Sequence, residues 1–159
     1  MVEDARFEDG GEEPLRLMAV DADDLQVVSS LVQDAVFPIT EMAWHPGQRR
    51  FALLLNRFRW EDKPAADHRG RAVERVQSTL VIGDVEKVQS QGVDRSDKDM
   101  VLSLLSISFV PGEDGTGRVE LTLAGDGAIA LEVEALDVTL RDVTRPYIAP
   151  SKHTPEHPE

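Results

Sequence analysis

The residues of this chain best equipped for chemistry are arginines. Residues 49–75 hold eight bases (Arg49, Arg50, Arg57, Arg59, Lys63, Arg69, Arg71 and Arg75) against Glu61, Asp62, Asp67 and Glu74, a local charge of +4 in a chain whose formal net charge is −13. Guanidinium forks suit phosphates and carboxylates. Phe58 and Trp60, interleaved with them, could stack on a base or a sugar. Arg50, Arg57, Arg59, Arg75 and Trp60 are therefore the candidate ligand-binding set, for a protein partner or an anionic small molecule. The competing account makes Phe58 and Trp60 core residues at period two. Arg57 and Arg59 would then lie on a solvated face or pair with local acids.

Carboxylates are the second resource. The chain has 30 Asp and Glu. Glu41, Glu74, Glu132 and Glu134 fall within or beside segments of extended pattern, where an inward-pointing pair could do acid–base work in a cleft. A small enzyme of that kind is the alternative to a non-enzymatic binding or adaptor module.

The remaining motifs offer less. Asp21, Asp23 and Asp24 follow an apolar run, and Asp126 stands in Gly125-Asp126-Gly127; aspartates of this sort can attack phosphorus and hold Mg²⁺. No second acid closely follows Asp126, however, and no βαβ unit would unite the two loops. A helix cap and a hairpin turn account for them. His45 and His68 fall in turns, and His153-Thr154-Pro155-Glu156-His157 is not the His-Glu-x-x-His of a zinc-binding helix. Ser103, Ser106 and Ser108 lack a nucleophile elbow. The glycine-rich loop 111–117 lacks the Lys-Ser/Thr of a phosphate-binding loop. No catalytic residue, metal or cofactor is assigned.

Composition narrows the field further. A chain of 159 residues suits one domain. Its 41% apolar content is enough for a core, and its lack of cysteine excludes disulfides, thiolate metal sites and thiol nucleophiles. No apolar run approaches the roughly 20 residues that span a bilayer. The acidic amino terminus lacks the apolar centre of a secretory signal. The negative net charge opposes nucleic-acid binding.

The elements that must carry these residues follow from periodicity. Residues 1–13 read as a disordered acidic arm, 14–149 as one domain, and 150–159 as a disordered tail. Leu15 to Val20 predicts a short strand. Asp21 caps a helix whose apolar stripe is Leu25, Val28, Leu31, Val32, Ala35 and Val36, ended by Phe37-Pro38. Extended segments follow at 39–45, 49–60, 71–82, 85–90, 101–110, 119–123, 129–133 and 136–140, with 61–70 a polar loop and 101–110 central. The expected fold class is α+β: a mainly antiparallel sheet of about seven strands with one amphipathic helix packed on a face. An exposed edge strand in such a sheet could pair with a second copy, giving a homodimer.

Three stretches also carry a resemblance. Leu15-Arg16-Leu17 with Asp24-Leu25-Gln26-Val27 and 31–36 is the first. Arg49 to Glu61 is the second and most specific. Gly127 to Glu134 with Leu140-Arg141-Asp142 is the third. In these the chain resembles a small bacterial family, domain of unknown function 2948, found mainly in alphaproteobacteria. The resemblance implies a bacterial cytoplasmic protein and assigns no activity.

Overall fold

A computed structural model describes residues 14–148; the expected arm and tail, 1–13 and 150–159, lie outside the described residues. The elements in chain order are β1 (Arg16–Ala19), α1 (Ala22–Leu31), β2 (Ala35–Pro38), β3 (Met42–His45), β4 (Arg50–Phe58), α2 (Lys63–His68), β5 (Arg75–Ile82), β6 (Val85–Gln91), β7 (Val101–Pro111), β8 (Gly117–Leu123), β9 (Ala128–Val133) and β10 (Val138–Asp142). The strands form one ten-stranded sheet in the order β1-β10-β5-β4-β2-β7-β8-β9-β6, with β3 also on β4. Each pairing between these strands is antiparallel. The mainly antiparallel α+β class is therefore right, while the strand count exceeds the expected seven.

The helix starts as its sequence dictates. The Asp24 amide donates to Asp21 Oδ1 at 2.8 Å, satisfying one of the first-turn amides. Leu25, Val28 and Val32 form its buried stripe. It stops earlier than the stripe suggests, with Val32 as its carboxyl-terminal cap. Asp34 then turns the chain at φ 66°. Ala35 to Pro38 forms β2, whose Ala35 and Phe37 are buried while Val36 is half-buried. These residues fit a helical spacing and a strand alternation equally well; pairing with β7 decides for the strand. Two smaller corrections concern 39–45, where a 3₁₀ turn precedes β3, and the polar loop 61–70, which holds α2. The strand expected at 101–110 is β7, and it lies between β2 and β8 as a central strand should.

One core serves the whole order of strands. Phe51, Leu53 and Leu55 of β4 share it with Leu80 and Ile82 of β5, Leu121 of β8 and Leu131 of β9. Strands far apart in the order therefore turn the same face inward, and the sheet curls around its apolar side. The Val85 amide donates to the Arg49 carbonyl at 2.9 Å, tying the start of β6 to the approach of β4. Helix α1 packs on β7 and on β1. No helix among the described residues is long and apolar enough to cross a membrane.

Phe37 is fully buried whereas Pro38 is exposed. Phe37→Ala is expected to cost about 3–5 kcal/mol in urea denaturation, and Pro38→Ala under about 1 kcal/mol. Equal costs would contradict the placement of β2.

Candidate functional site

Arg57 lies on the inner face near the end of β4 and is 0% exposed. A guanidinium taken out of water must have its donors satisfied. Nε donates to Ser78 Oγ at 3.1 Å and Asp142 Oδ1 at 3.2 Å. Nη1 donates to the Phe58 carbonyl at 3.0 Å and Glu61 Oε1 at 2.9 Å. Nη2 donates to Glu61 Oε2 at 2.9 Å and Asp142 Oδ1 at 3.0 Å. Asp142 in turn accepts from Ser78 Oγ at 2.6 Å and from the Leu15 amide at 3.0 Å. Burial works against the charge on Arg57, but its hydrogen bonds and charge contacts with Glu61 and Asp142 outweigh burial and raise its pKa. Burial likewise pushes the Glu61 carboxyl up, and the Arg57 guanidinium overrides that and holds it below its ordinary 4.5.

The other predicted residues divide. Arg59 is 6% exposed and donates to Glu74 at 2.5 Å, with Asp62 at 3.5 Å. Trp60 is half-buried; its Nε1 donates to the Gln33 carbonyl at 2.8 Å, and its ring sits 5.3 Å from that of Phe58. Arg75 lays its guanidinium 4.7 Å from the Phe58 ring centroid, a cation–π geometry. So Arg57 and Arg59 pair with local acids inside the protein and lie on no solvated face. Trp60 fastens 60–68 to the end of α1. The structure does not assemble the five residues into one surface.

Arg50 faces outward, and it has company that the charge run did not reveal. With Arg16 and Arg141 it lines a cavity of about 400 Å³ on the outer face of β1, β10, β5 and β4. Arg16 and Arg141 are register partners on β1 and β10. Like charges directly opposite one another oppose pairing. No compensating contact is made: among the described residues, the side chains of Arg16, Arg50 and Arg141 have neither a hydrogen bond nor an ion pair. By contrast, Arg49, Arg57, Arg59, Arg71 and Arg118 all meet acids. The floor between the arginines is Thr139 of β10 with Thr79 and Val81 of β5. At the far end stand Asp84 and Asp137, beside Gly83.

Gly83 has a steric role there. A Cβ on it would lie 2.9 Å from Asp137 Oδ2, so the bare glycine leaves the room that this carboxylate occupies. Asp84 adopts φ 54° as the chain turns from β5 into β6.

The strand acids make no comparable centre. Glu41 and Glu134 are exposed, Glu132 is half-buried, and Glu74 is engaged by Arg59. Glu61 and Asp142 share the Arg57 guanidinium. Asp21 caps α1, and Asp126 sits at φ 68° in the turn between β8 and β9. Among the described residues no three His, Asp or Glu side chains stand together as metal ligands would. His45 ends β3 and His68 ends α2; His153 and His157 lie outside the described residues.

The model of the family described as Protein of unknown function (DUF2948) matches residues 15–157. No curated protein and no solved structure matches the chain.

Two outcomes test the inner network. Arg57→Met leaves Asp142 buried without its partner, so it should cost about 3–5 kcal/mol in chemical denaturation, whereas Arg50→Gln should stay within about 0.5 kcal/mol. Because the Glu61 carboxyl is lowered in the folded state, its contribution is complete above its unfolded value near 4.5 and is lost as pH falls through the lower folded value. Glu61→Gln should therefore flatten the loss of stability below about pH 4.5. Parallel acid limbs for the variant and the native chain would refute that contribution.

Proposed function

We propose a function for a chain that belongs to the DUF2948 family of proteins of unknown function: it is a non-enzymatic binding module that takes a small anionic ligand on the outer face of β1, β10, β5 and β4. One observation carries this reading. Three arginines without partners line a single cavity in a protein of net charge −13, where acids to neutralise them are plentiful. Two of them face each other across a strand pair, an arrangement that costs stability unless an anion is shared between them. Guanidinium groups supply the paired donors that carboxylate and phosphate oxygens accept. The threonine hydroxyls of the floor can donate to further oxygens, and Val81 gives the ligand's carbon atoms an apolar seat.

The rest of the protein favours a small ligand over a polyanion. A nucleic acid would meet the surrounding acidic surface along its backbone, and three basic side chains do not offset that repulsion. A ligand that fits within about 400 Å³ meets the arginines and little of the remaining surface.

Isothermal titration with glutarate, L-glutamate and inorganic phosphate tests the reading. At least one of the three should bind saturably. Arg141→Gln and Arg50→Gln should each weaken that binding about tenfold or more, since a hydrogen bond to a charged group is worth about 1.5–3 kcal/mol. Arg95→Gln, in the exposed loop before β7, should leave it unchanged. Binding of none of the three anions, or equal affinity in all the variants, would overturn the proposal.

A further inference from the structure

We infer that the ligand is a zwitterion carrying one extra acid group, of the acidic α-amino acid class, read at both ends of the cavity; the inference rests on the anion-site reading above. The geometry comes from strand register. Asp137, Thr139 and Arg141 lie on β10 or directly before it, at alternate positions, and all three line the cavity. The aspartate and the arginine are four residues apart, about 13 Å along an extended strand. At that separation in water they scarcely attract each other, and they form no ion pair.

Each end then has its own chemistry. At one end Arg16 and Arg141 oppose each other and call for an acid group. At the other, Asp137 and Arg50 flank Gly83 from β10 and from β4. Phe51 pairs with Ile82 and Val138 pairs with Ile82, so the residues just beyond these, Arg50 and Asp137, stand on either side of the glycine. A carboxylate seated over Gly83 and a guanidinium on the neighbouring strand match the ammonium and carboxylate of an α-amino acid. Hydrogen-bonding complementarity and charge agree there.

The charge count agrees as well. Three arginines and two aspartates line the cavity, leaving it at +1, and an acidic amino acid carries −1 at neutral pH. A simple dianion would satisfy the arginines and face the Asp137 carboxylate unpaired, which like-charge repulsion disfavours. The side chain of such a ligand would cross Val81 and Thr139 to place its distal acid between Arg16 and Arg141.

The probes are L-glutamate, glutarate, which lacks the ammonium, and L-glutamine, which lacks the distal acid. Affinities come from titration calorimetry on the full chain. The binding site comes from amide chemical shifts, which also report that each variant is folded. L-Glutamate should bind at least tenfold more tightly than either analogue. Asp137→Asn should abolish its advantage over glutarate, and Arg141→Gln its advantage over L-glutamine. Gly83→Ala should weaken L-glutamate binding by displacing the Asp137 carboxylate. Glutarate binding as tightly as L-glutamate, or an Asp137→Asn variant that keeps the preference, overturns the zwitterion while leaving an anion site standing. Binding of none of the three, nor of phosphate, removes both.

Discussion

The structure depends on a guanidinium placed where water cannot reach it. Arg57 heads the largest fully buried side chains, in the company of phenylalanines and leucines. An unpaired cation there would cost several kcal/mol. Its partners come from separate parts of the chain: Ser78 on β5, Asp142 on β10, and Glu61 in the turn after β4. Asp142 reaches further, to the Leu15 amide, and its own amide donates to the Leu15 carbonyl at 2.9 Å. The network therefore selects the register of β4, β5, β10 and β1 together, because a slip by one residue would leave a buried charge without its hydrogen bonds.

That selection has consequences on the opposite face. Side chains alternate along a strand. With Asp142 turned inward, Arg141 must turn outward. With Leu15 bonded to Asp142, Arg16 falls opposite Arg141. Arg57 and Arg50 differ by an odd number of positions, so the burial of one on this regular strand exposes the other. The paired charges inside and the unpaired charges outside thus stem from a single register. Energy also separates them. Inside, each donor needs a protein acceptor. Outside, solvent can satisfy the exposed Arg16, Arg50 and Arg141 without a protein acceptor.

Much of this fold was legible in the chain. Clean alternation located β4, β8 and β9, Asp21 announced the start of α1, and Gly125-Asp126-Gly127 marked its hairpin. The errors have physical origins. Ala35 and Val36 satisfy two periods, so β2 was hidden in the helix, and β3 and α2 are too short for periodicity to speak. The site was legible only in part. Arg50 was within reach, because it shares a strand with an obvious alternation. Arg57 and Arg59 came through only as an alternative, pairing with local acids, because a run of charge usually marks a solvated face. Arg16, between Leu15 and Leu17, and Arg141, between Leu140 and Asp142, lie outside the charge run, and only strand pairing across most of the chain brings them together. All three cavity arginines nonetheless stand within the stretches by which the family was recognised, one in each.

Magnitudes limit what such a face can bind. An exposed ion pair contributes at most about 1 kcal/mol. Micromolar affinity requires about −8 kcal/mol in total, after the loss of translational and rotational freedom is met. One acid group touching one arginine falls far short of that. A ligand held on this open surface must therefore sit where it engages several charged groups at once. The cavity over Thr139 and Val81 is such a place, because charged groups from β1, β10 and β4 surround the same small volume. Selectivity follows from the same spread of contacts: a molecule reaching only one end leaves the charged groups at the other to water, makes fewer contacts, and binds more weakly.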